Sequence, residues 1–504
     1  MSRLALRSWS PRKTLLLVLL AGAMGWCGCP SAHTQEPRGP TPATPGSAAP
    51  PEWVARLPSG DRWLEHLNRE LLPFWDKETA FGKPVGAFPS VRCNDGSLLD
   101  RANPCPEIRG NEWLMEDRTY VVSLSRQTYA YAVAFHVTGN PRFLELARAG
   151  VEYLRRHAFD REHGGAYSWR DNTTGQWGPG VAERTPQEQA YALLGPSFYY
   201  YLTRDEEVLR DIVAIKEAIF RNHGPLTTGL LRSKPGAEGR ARLVDTLDQL
   251  NTYVVLLSSV LPPEQQSAWK QDMVALSRQL VDGFYSPAEN LFFKESLPPE
   301  ERRLGRADND FGHTLKSLWM IRMVALATGD SERVRFTEEQ GRRALARAFL
   351  PDSGSWASSV RPDGTLETNK EWWIYAELNQ FAASVAMSNP SVGEFLPRAQ
   401  DYWLRHFVDP VHGEVWTTLD GATHQPLTTM PKQWPWKNGF HTFEHALVGY
   451  ITARQLHGEP VVLHYAFDPR KPGCSVRPYF YSGEVQQVEE VTPSTWRVTF
   501  RDVR

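Results

Sequence analysis

The sequence predicts an all-α chain: an (α/α)6 barrel, or toroid, of six helix pairs with a small C-terminal β appendage. Three observations carry that prediction. A unit of apolar helix, short break, second helix and aromatic turn recurs at roughly 60 residues, the period of a helical-repeat architecture. Within the helices the apolar positions follow helical spacing, as in Val121, Leu124, Tyr129, Val133 and Val137. The breaks are alike: Thr138-Gly139-Asn140, Thr203-Arg204-Asp205 and Thr328-Gly329-Asp330.

Residues 1–29 stand apart from the fold. Arg3, Arg7, Arg12 and Lys13 form a basic leader, and Leu15 to Gly25 is an apolar run too short to span a bilayer, the pattern of a secretory signal peptide. Gly28 precedes Cys29, which makes Cys29 a candidate lipidated cysteine and membrane tether after cleavage. Residues 30–52 are rich in Pro, Ala, Ser and Thr and read as an extended linker. The expected product is exported, to the periplasm or the cell surface. In such a compartment Cys93 and Cys105, close together in a Gly/Pro/Asn-rich loop, are expected to form a disulfide, with Cys474 left over. No cysteine pair has metal-ligand spacing.

The helical domain is expected over 53–457. Its helices fall near 61–75, 117–138, 141–157, 183–203, 205–222, 243–260, 263–283, 308–328, 331–349, 370–388, 391–407 and 439–456. The turn pieces between pairs are Gly82 to Phe88, His163 to Tyr167, Thr228-Gly229-Leu230, Asn290-Leu291-Phe292, Gly354-Ser355-Trp356 and His412 to Trp416. If the last helix pairs with the first, the row closes into a ring; an open solenoid satisfies the same repeat. The first helix after each hairpin carries a polar residue near its start: Arg126, Gln187, Asn251, His313, Glu377 and His441. In a closed ring, equivalent positions face one axial cavity. After Leu456 the pattern changes, and 458–504 is expected to hold short strands at 461–467, 477–482 and 495–500, with no evident chemistry.

A chain of 504 residues with a net charge of −2 is a large globular protein with no electrostatic footprint for nucleic acid. Eighteen Trp and seventeen Tyr suit carbohydrate sites and helical cores equally. The stretch from Trp436 to His445 places His441 at the mouth of a helix, where an imidazole titrates near neutrality. His441-Thr442-Phe443-Glu444-His445 also spells H-x-x-E-H, an inverted zinc-peptidase motif, without an evident third ligand.

Several pieces, in order, resemble the N-acylglucosamine 2-epimerase superfamily, which includes cellobiose 2-epimerases and mannose-type aldose–ketose isomerases. They are Leu72-Pro73-Phe74-Trp75, Ser125 to Tyr129, Asp160 through Tyr167, Leu250-Asn251-Thr252, Phe311-Gly312-His313, Lys370 to Trp373 with Glu377, and Trp436-Lys437 with Phe440-His441. The resemblance implies an (α/α)6 barrel acting on a small carbohydrate by proton transfer next to its carbonyl carbon, without metal or nucleotide redox cofactor. On that basis His313 and His441 are the catalytic pair. Arg126 and Asn251 contact the sugar, Trp373 offers a stacking face, and Lys316, Glu377 and Lys437 complete the substrate-binding set. The chain departs from the family pattern at Lys316, where a glutamate is usual, and at Val255, Ser258 and Gln187, where histidine, glutamate and tyrosine are usual. Lys316 then either faces the enediolate as a cation or pairs with Glu377. Two other classes compete. One is an (α/α)6 glycoside hydrolase or lyase using two of Glu188, Glu371, Glu377 and Glu444. The other is a catalytically altered carbohydrate-binding protein. The sugar, the choice between epimerase and isomerase, and the oligomeric state are not encoded legibly.

Overall fold

The computed structural model describes residues 50–225, 229–236, 239–471 and 474–504. The leader, Cys29, the linker up to residue 49, and Thr228 of one turn piece lie outside the described residues. Among the described residues no helix is long and apolar enough to cross a membrane.

Twelve principal helices follow one another: α1 (60–75), α2 (Val121–Thr138), α3 (141–158), α4 (Pro186–Thr203), α5 (Glu206–Asn222), α6 (243–257), α7 (Pro263–Phe284), α8 (Phe311–Thr328), α9 (Ser331–Ala348), α10 (Trp372–Ala386), α11 (396–407) and α12 (Gly439–Leu456). The even-numbered helices form an inner ring, each packed on the next, and α12 returns to pack on α2. Each odd-numbered helix backs an inner one, with α1 lying behind α12. The row therefore closes, and the open solenoid is excluded.

Composition explains the layering. Inner helices are apolar or small on every side, so α2 is buried from Val121 to Val137 and α12 from Gly439 to Ala453. Outer helices bury a single stripe, such as Phe143, Leu146, Ala147, Gly150 and Val151 of α3. The repeated tripeptide between helices is a stop followed by a start. Gly139, Arg204 and Gly329 take left-handed φ of 70°, 58° and 75° and end α2, α4 and α8. Asn140, Asp205 and Asp330 then accept backbone N–H bonds from the first turns of α3, α5 and α9.

The turn pieces after the outer helices are small antiparallel hairpins, among them Tyr285–Ser286 with Leu291–Phe292 and Phe349–Leu350 with Ser355–Trp356. Four inner helices start a few residues later than their spacing suggested, α4 because Val181–Glu183 forms a separate tight turn ahead of it. Arg118–Tyr120 pairs with Trp169–Asp171 ahead of α2, Asn309 bridges to Phe293 ahead of α8, and Lys370–Glu371 pairs with Thr418–Leu419 ahead of α10. These pieces gather at one end of the ring, around the N-termini of the inner helices. Cys93 and Cys105 form the expected disulfide, with Cα atoms 6.1 Å apart.

The appendage is a three-stranded antiparallel sheet of β1 (Val461–Tyr465), β2 (Glu484–Thr492) and β3 (Thr495–Arg501), in the order β1-β3-β2. The strand expected over 477–482 is instead an irregular turn. Its alternating aromatics do not line a sheet face; Tyr479, Phe480 and Tyr481 are all buried against the barrel. The strand that does form, β2, was hidden because it is an exposed edge with polar residues on both faces.

Candidate active site

At the N-terminal ends of the inner helices lies a cavity of about 350 Å³. Arg126, Tyr191, Asp248, Lys316 and the two histidines His313 and His441 line its deep half. Trp372, Trp373, Trp434, Trp436 and Met430 line its outer wall. Six parallel helices aim their N-termini at this end, and a helix N-terminus carries about half a positive charge. The cavity is thus biased toward holding negative charge. A larger depression, about 730 Å³, lies outside the ring against α5 and the start of α7 and contains no histidine.

The helix registers organise the site. The third residues of α8 and α12 are His313 and His441. One turn deeper, the sixth residues of α2, α4, α6, α8, α10 and α12 are Arg126, Tyr191, Asp248, Lys316, Glu377 and Glu444, a complete polar layer around the axis. Neighbours in that layer touch in turn. The Arg126 guanidinium lies 3.9 Å from the Tyr191 ring centroid. The Tyr191 hydroxyl donates to Asp248 Oδ1 at 3.1 Å, and Lys316 Nζ meets the same oxygen at 3.2 Å and Glu377 Oε1 at 3.7 Å. The Gln380 amide reaches both Glu377, at 3.4 Å, and Glu444, at 3.5 Å. Gln187 takes no place in the layer but donates its amide to Asp248 Oδ2 at 3.0 Å.

His313 is held by the residue that caps its own helix. Asp310 Oδ1 accepts the His313 backbone N–H at 2.6 Å, and Asp310 Oδ2 lies 2.7 Å from His313 Nδ1. Burial alone would raise the Asp310 carboxyl, but His313 and Lys294 hold it far below the usual carboxylate range. An ionised Asp310 makes Nδ1 the protonated nitrogen, which leaves Nε2 to exchange protons. His441 also stands beside Trp373. The indole centroid is 4.7 Å from the His313 ring and 6.1 Å from the His441 ring. Burial, reinforced by Arg126 and Lys316, pulls His441 well below the ordinary imidazole value, so it is neutral at pH 7 and available as a base. Its Nε2 stands 3.6 Å from Glu377 Oε1.

Lys316 lines the cavity, and the carboxylates around it answer the question its sequence position raised. Burial would lower it; Asp248, Tyr191 and Glu377 outweigh that and hold it above the ordinary lysine value. It pairs with Glu377, and more closely with Asp248. Arg126 is the contrasting cation. Among the described residues no carboxylate lies within ion-pair distance of it; it donates to the Trp436 carbonyl and is otherwise packed on aromatic faces.

Three expected substrate contacts do not line the cavity, and Glu377, fully buried in the polar layer, is the first. Asn251 is the ninth residue of α6, one turn below the polar layer, buried with no hydrogen-bond partner on its amide and absent from the cavity wall. Lys437 is fully buried outside the cavity, donating to Glu414 Oε1 at 3.1 Å and the Lys432 carbonyl at 3.0 Å, which makes it a brace for the loop ahead of α12. Asp248, Tyr191, Trp434, Trp436 and Met430 were not anticipated. The signal that finds the first two is the shared sixth position, visible only when helix starts are known to the residue. The H-x-x-E-H pattern does not converge: His445 packs between Trp63 and Trp403 and meets Asn379, away from the cavity. Of the four carboxylates weighed for hydrolysis, Glu188 closes the capping box of α4 with Thr185, and only Glu371 lines the cavity.

The N-acylglucosamine 2-epimerase family model matches residues 109–231. A cellobiose 2-epimerase of Bacteroides fragilis is 24% identical over 395 residues, covering 72% of this chain and 91% of that protein. In fold, the cellobiose 2-epimerase of Spirochaeta thermophila superposes with a TM-score of 0.65 at 18% identity, covering 79% of this chain and 97% of that one. A D-mannose isomerase superposes with a TM-score of 0.64 at 15% identity, covering 80% and 100%. The chain is thus similar in sequence to cellobiose 2-epimerases and shares the fold of those neighbours.

Proposed function

We propose that this protein is a carbohydrate epimerase or isomerase that moves a proton at C2 of a reducing sugar through an enediolate. The observation that carries the proposal is the pair of imidazoles beside one indole in one cavity, one neutral by burial and one held by a carboxylate. The sugar opens to its aldehyde with His313 handling the ring-oxygen proton. Neutral His441 then removes the C2 proton, leaving its electron pair in the C1–C2 bond and a negative charge on O1. Arg126, which has no carboxylate within ion-pair distance among the described residues, is the cation for that oxygen, aided by the converging helix N-termini. His313, protonated at Nε2 and held as an imidazolium by Asp310, delivers a proton to the opposite face of C2 to give the epimer; delivery to C1, with the O2 proton passing to O1, gives the ketose. Positioned imidazoles of this kind each contribute a factor of about 10² to 10⁴.

The direct test is incubation with aldoses, ketoses and β-linked disaccharides in heavy water. Deuterium at C2 or C1 supports the proposal; its absence from every sugar, with binding retained, supports a carbohydrate-binding role instead. Reducing ends released from a glycan would support hydrolysis. Export and tethering through Cys29 belong to the same proposal, supported by the basic leader and apolar run. Mass spectrometry of the mature N-terminus from a producing cell checks it, and an unprocessed Met1 sinks it.

A further inference from the structure

The end of the barrel opposite the cavity is closed by the turn over 477–482. Arg477 ties that turn together, donating to the Phe480 carbonyl, to the Tyr481 carbonyl at 3.1 Å and to Ser259 Oγ at 2.6 Å. Tyr479 takes a left-handed φ of 59°, rare for a tyrosine, and its N–H donates to the Tyr201 hydroxyl at 3.1 Å. The side chain so aimed enters the barrel from below. Its hydroxyl donates to Glu444 Oε1 at 2.5 Å and accepts from the Tyr129 hydroxyl at 3.0 Å.

Glu444 belongs to the polar layer beneath the histidines, yet among the described residues it has no ion-pair partner. If both Glu377 and Glu444 were ionised, the layer would hold three carboxylates, Asp248 included, against two cations, Arg126 and Lys316. One shared proton makes the layer neutral, and burial of both acids favours taking it up. The location of that proton is decided by the donors. Glu444 receives the Tyr479 hydroxyl and the Gln380 amide; Glu377 receives only the Gln380 amide, and its Oε1 accepts no hydrogen bond, with the Lys316 ammonium 3.7 Å away as its one opposing charge among the described residues. Donors favour charge on Glu444 and leave the proton on Glu377.

We infer that Tyr479 is a positioning residue for proton transfer: by donating to Glu444 it keeps the shared proton on Glu377, so that His441 faces a neutral acid and not a carboxylate. This rests on the assignment of His441 as the base. The charged and titratable groups around His441 are Arg126 on α2, Lys316 and His313 on α8, Glu377 on α10 and Lys437 ahead of α12. All but Glu377 disfavour the imidazolium, so the state of Glu377 is the adjustable part.

The test is the titration of the His441 imidazole in ¹⁵N-histidine-labelled protein, assigned with His441→Asn. Wild-type His441 stays neutral through mild acid. In Tyr479→Phe the charge moves to Glu377 and the midpoint rises, by on the order of one pH unit for a carboxylate next to an imidazole. Glu444→Gln raises it as well, because Glu377 then has no acidic neighbour to leave the charge on. In the Glu444→Gln background, Tyr479→Phe adds nothing. An unmoved midpoint in Glu444→Gln, or in Tyr479→Phe with native near-UV circular dichroism, overturns the inference. So does an equal Tyr479→Phe effect with and without Glu444. The titration needs no substrate, so it reads the network even if no sugar exchanges deuterium. With a turned-over sugar, the acid limb of kcat/KM moves up with the midpoint while KM holds.

Discussion

Replacing Lys316 by Met removes a buried cation from the polar layer. Its Nζ stands 3.2 Å from Asp248 and 3.7 Å from Glu377, with the Lys316 and Asp248 side chains only 3% and 2% exposed. Solvent therefore screens the pair little. Removing one partner of a buried ion pair costs about 3–5 kcal/mol, because the other charge stays behind. With an unfolding entropy of about 2.1 cal/mol/K per residue, a chain of 504 residues loses about 1 °C of Tm per kcal/mol, so the expected drop is about 3–5 °C. The double variant Lys316→Met/Asp248→Asn removes the pair as a unit and is expected to recover most of that loss. Catalysis changes separately. His441 loses one of the cations that reinforce its low basicity, so the acid limb of the pH–rate profile moves upward. Calorimetry on both variants and a deuterium-exchange pH profile on the single one are the assays. A single variant with unchanged Tm and unchanged turnover refutes the assignment of Lys316 to this network.

Three further outcomes are expected. His441→Asn and His313→Asn should each lower deuterium exchange at C2 by about 10²-fold or more with the fold intact; a residual rate above a tenth of wild type removes that histidine from the chemistry. Asp310 has a folded pKa held below its unfolded value of about 3.9, so it adds stability above that pH and loses it as the pH falls toward the folded value. The Tm gap between wild type and Asp310→Asn should therefore be smaller at pH 3 than at pH 7 and keep closing at lower pH, and an equal gap at both contradicts the ion pair. Trp113 stands exposed at the mouth, edge-on to Trp434 at 5.7 Å, on the segment braced by the Cys93–Cys105 disulfide. Trp113→Ala should raise KM for disaccharides and leave monosaccharide turnover unchanged; equal effects on both assign Trp113 to loop structure alone.

The toroid was legible because its punctuation is local chemistry. Gly139 and Gly329 end helices, and Asn140, Asp205 and Asp330 begin them, whatever the rest of the chain does. The two histidines were singled out by the repeat and by the resemblance of Phe311-Gly312-His313 and Phe440-His441, and each proves to be the third residue of its helix. The sixth-position layer was not. Reading α6 from Asn251 instead of Asp248 is an error of less than one turn, and it exchanges a cavity residue for one buried below. Lys437 was misread because polarity next to Trp436 looks the same whether the partner is solvent, substrate or a buried Glu414. Tyr479 was invisible for a deeper reason. Its contact with Glu444 joins a turn beyond the last helix to the floor of the site, and nothing in the spacing of residues 477–482 reports that the turn enters a barrel.

The departure at Lys316 decides which cation can serve the reaction. A lysine where the related pattern has a glutamate adds a buried positive charge, and a cation free to face the substrate would stabilise an enediolate directly. Lys316 is not free. It has three N–H donors, and Asp248, the Tyr191 hydroxyl and Glu377 lie within 3.7 Å of Nζ to take them. Releasing Asp248 in favour of a substrate oxygen would strand a buried carboxylate, at a cost comparable to the gain. Arg126 faces the opposite balance. It is buried with no carboxylate in ion-pair reach among the described residues, and aromatic faces supply most of its surroundings. A guanidinium in that state gains most from an oxygen that becomes negative only as the C2 proton leaves, so its stabilisation falls on the transition state more than on the bound sugar. The inverted charge at position 316 is thus absorbed by Asp248 inside the polar layer, and the oxyanion is left to Arg126. Arg126→Gln should accordingly lower kcat far more than it raises KM; a change confined to KM would mean that Arg126 only holds the ground-state sugar.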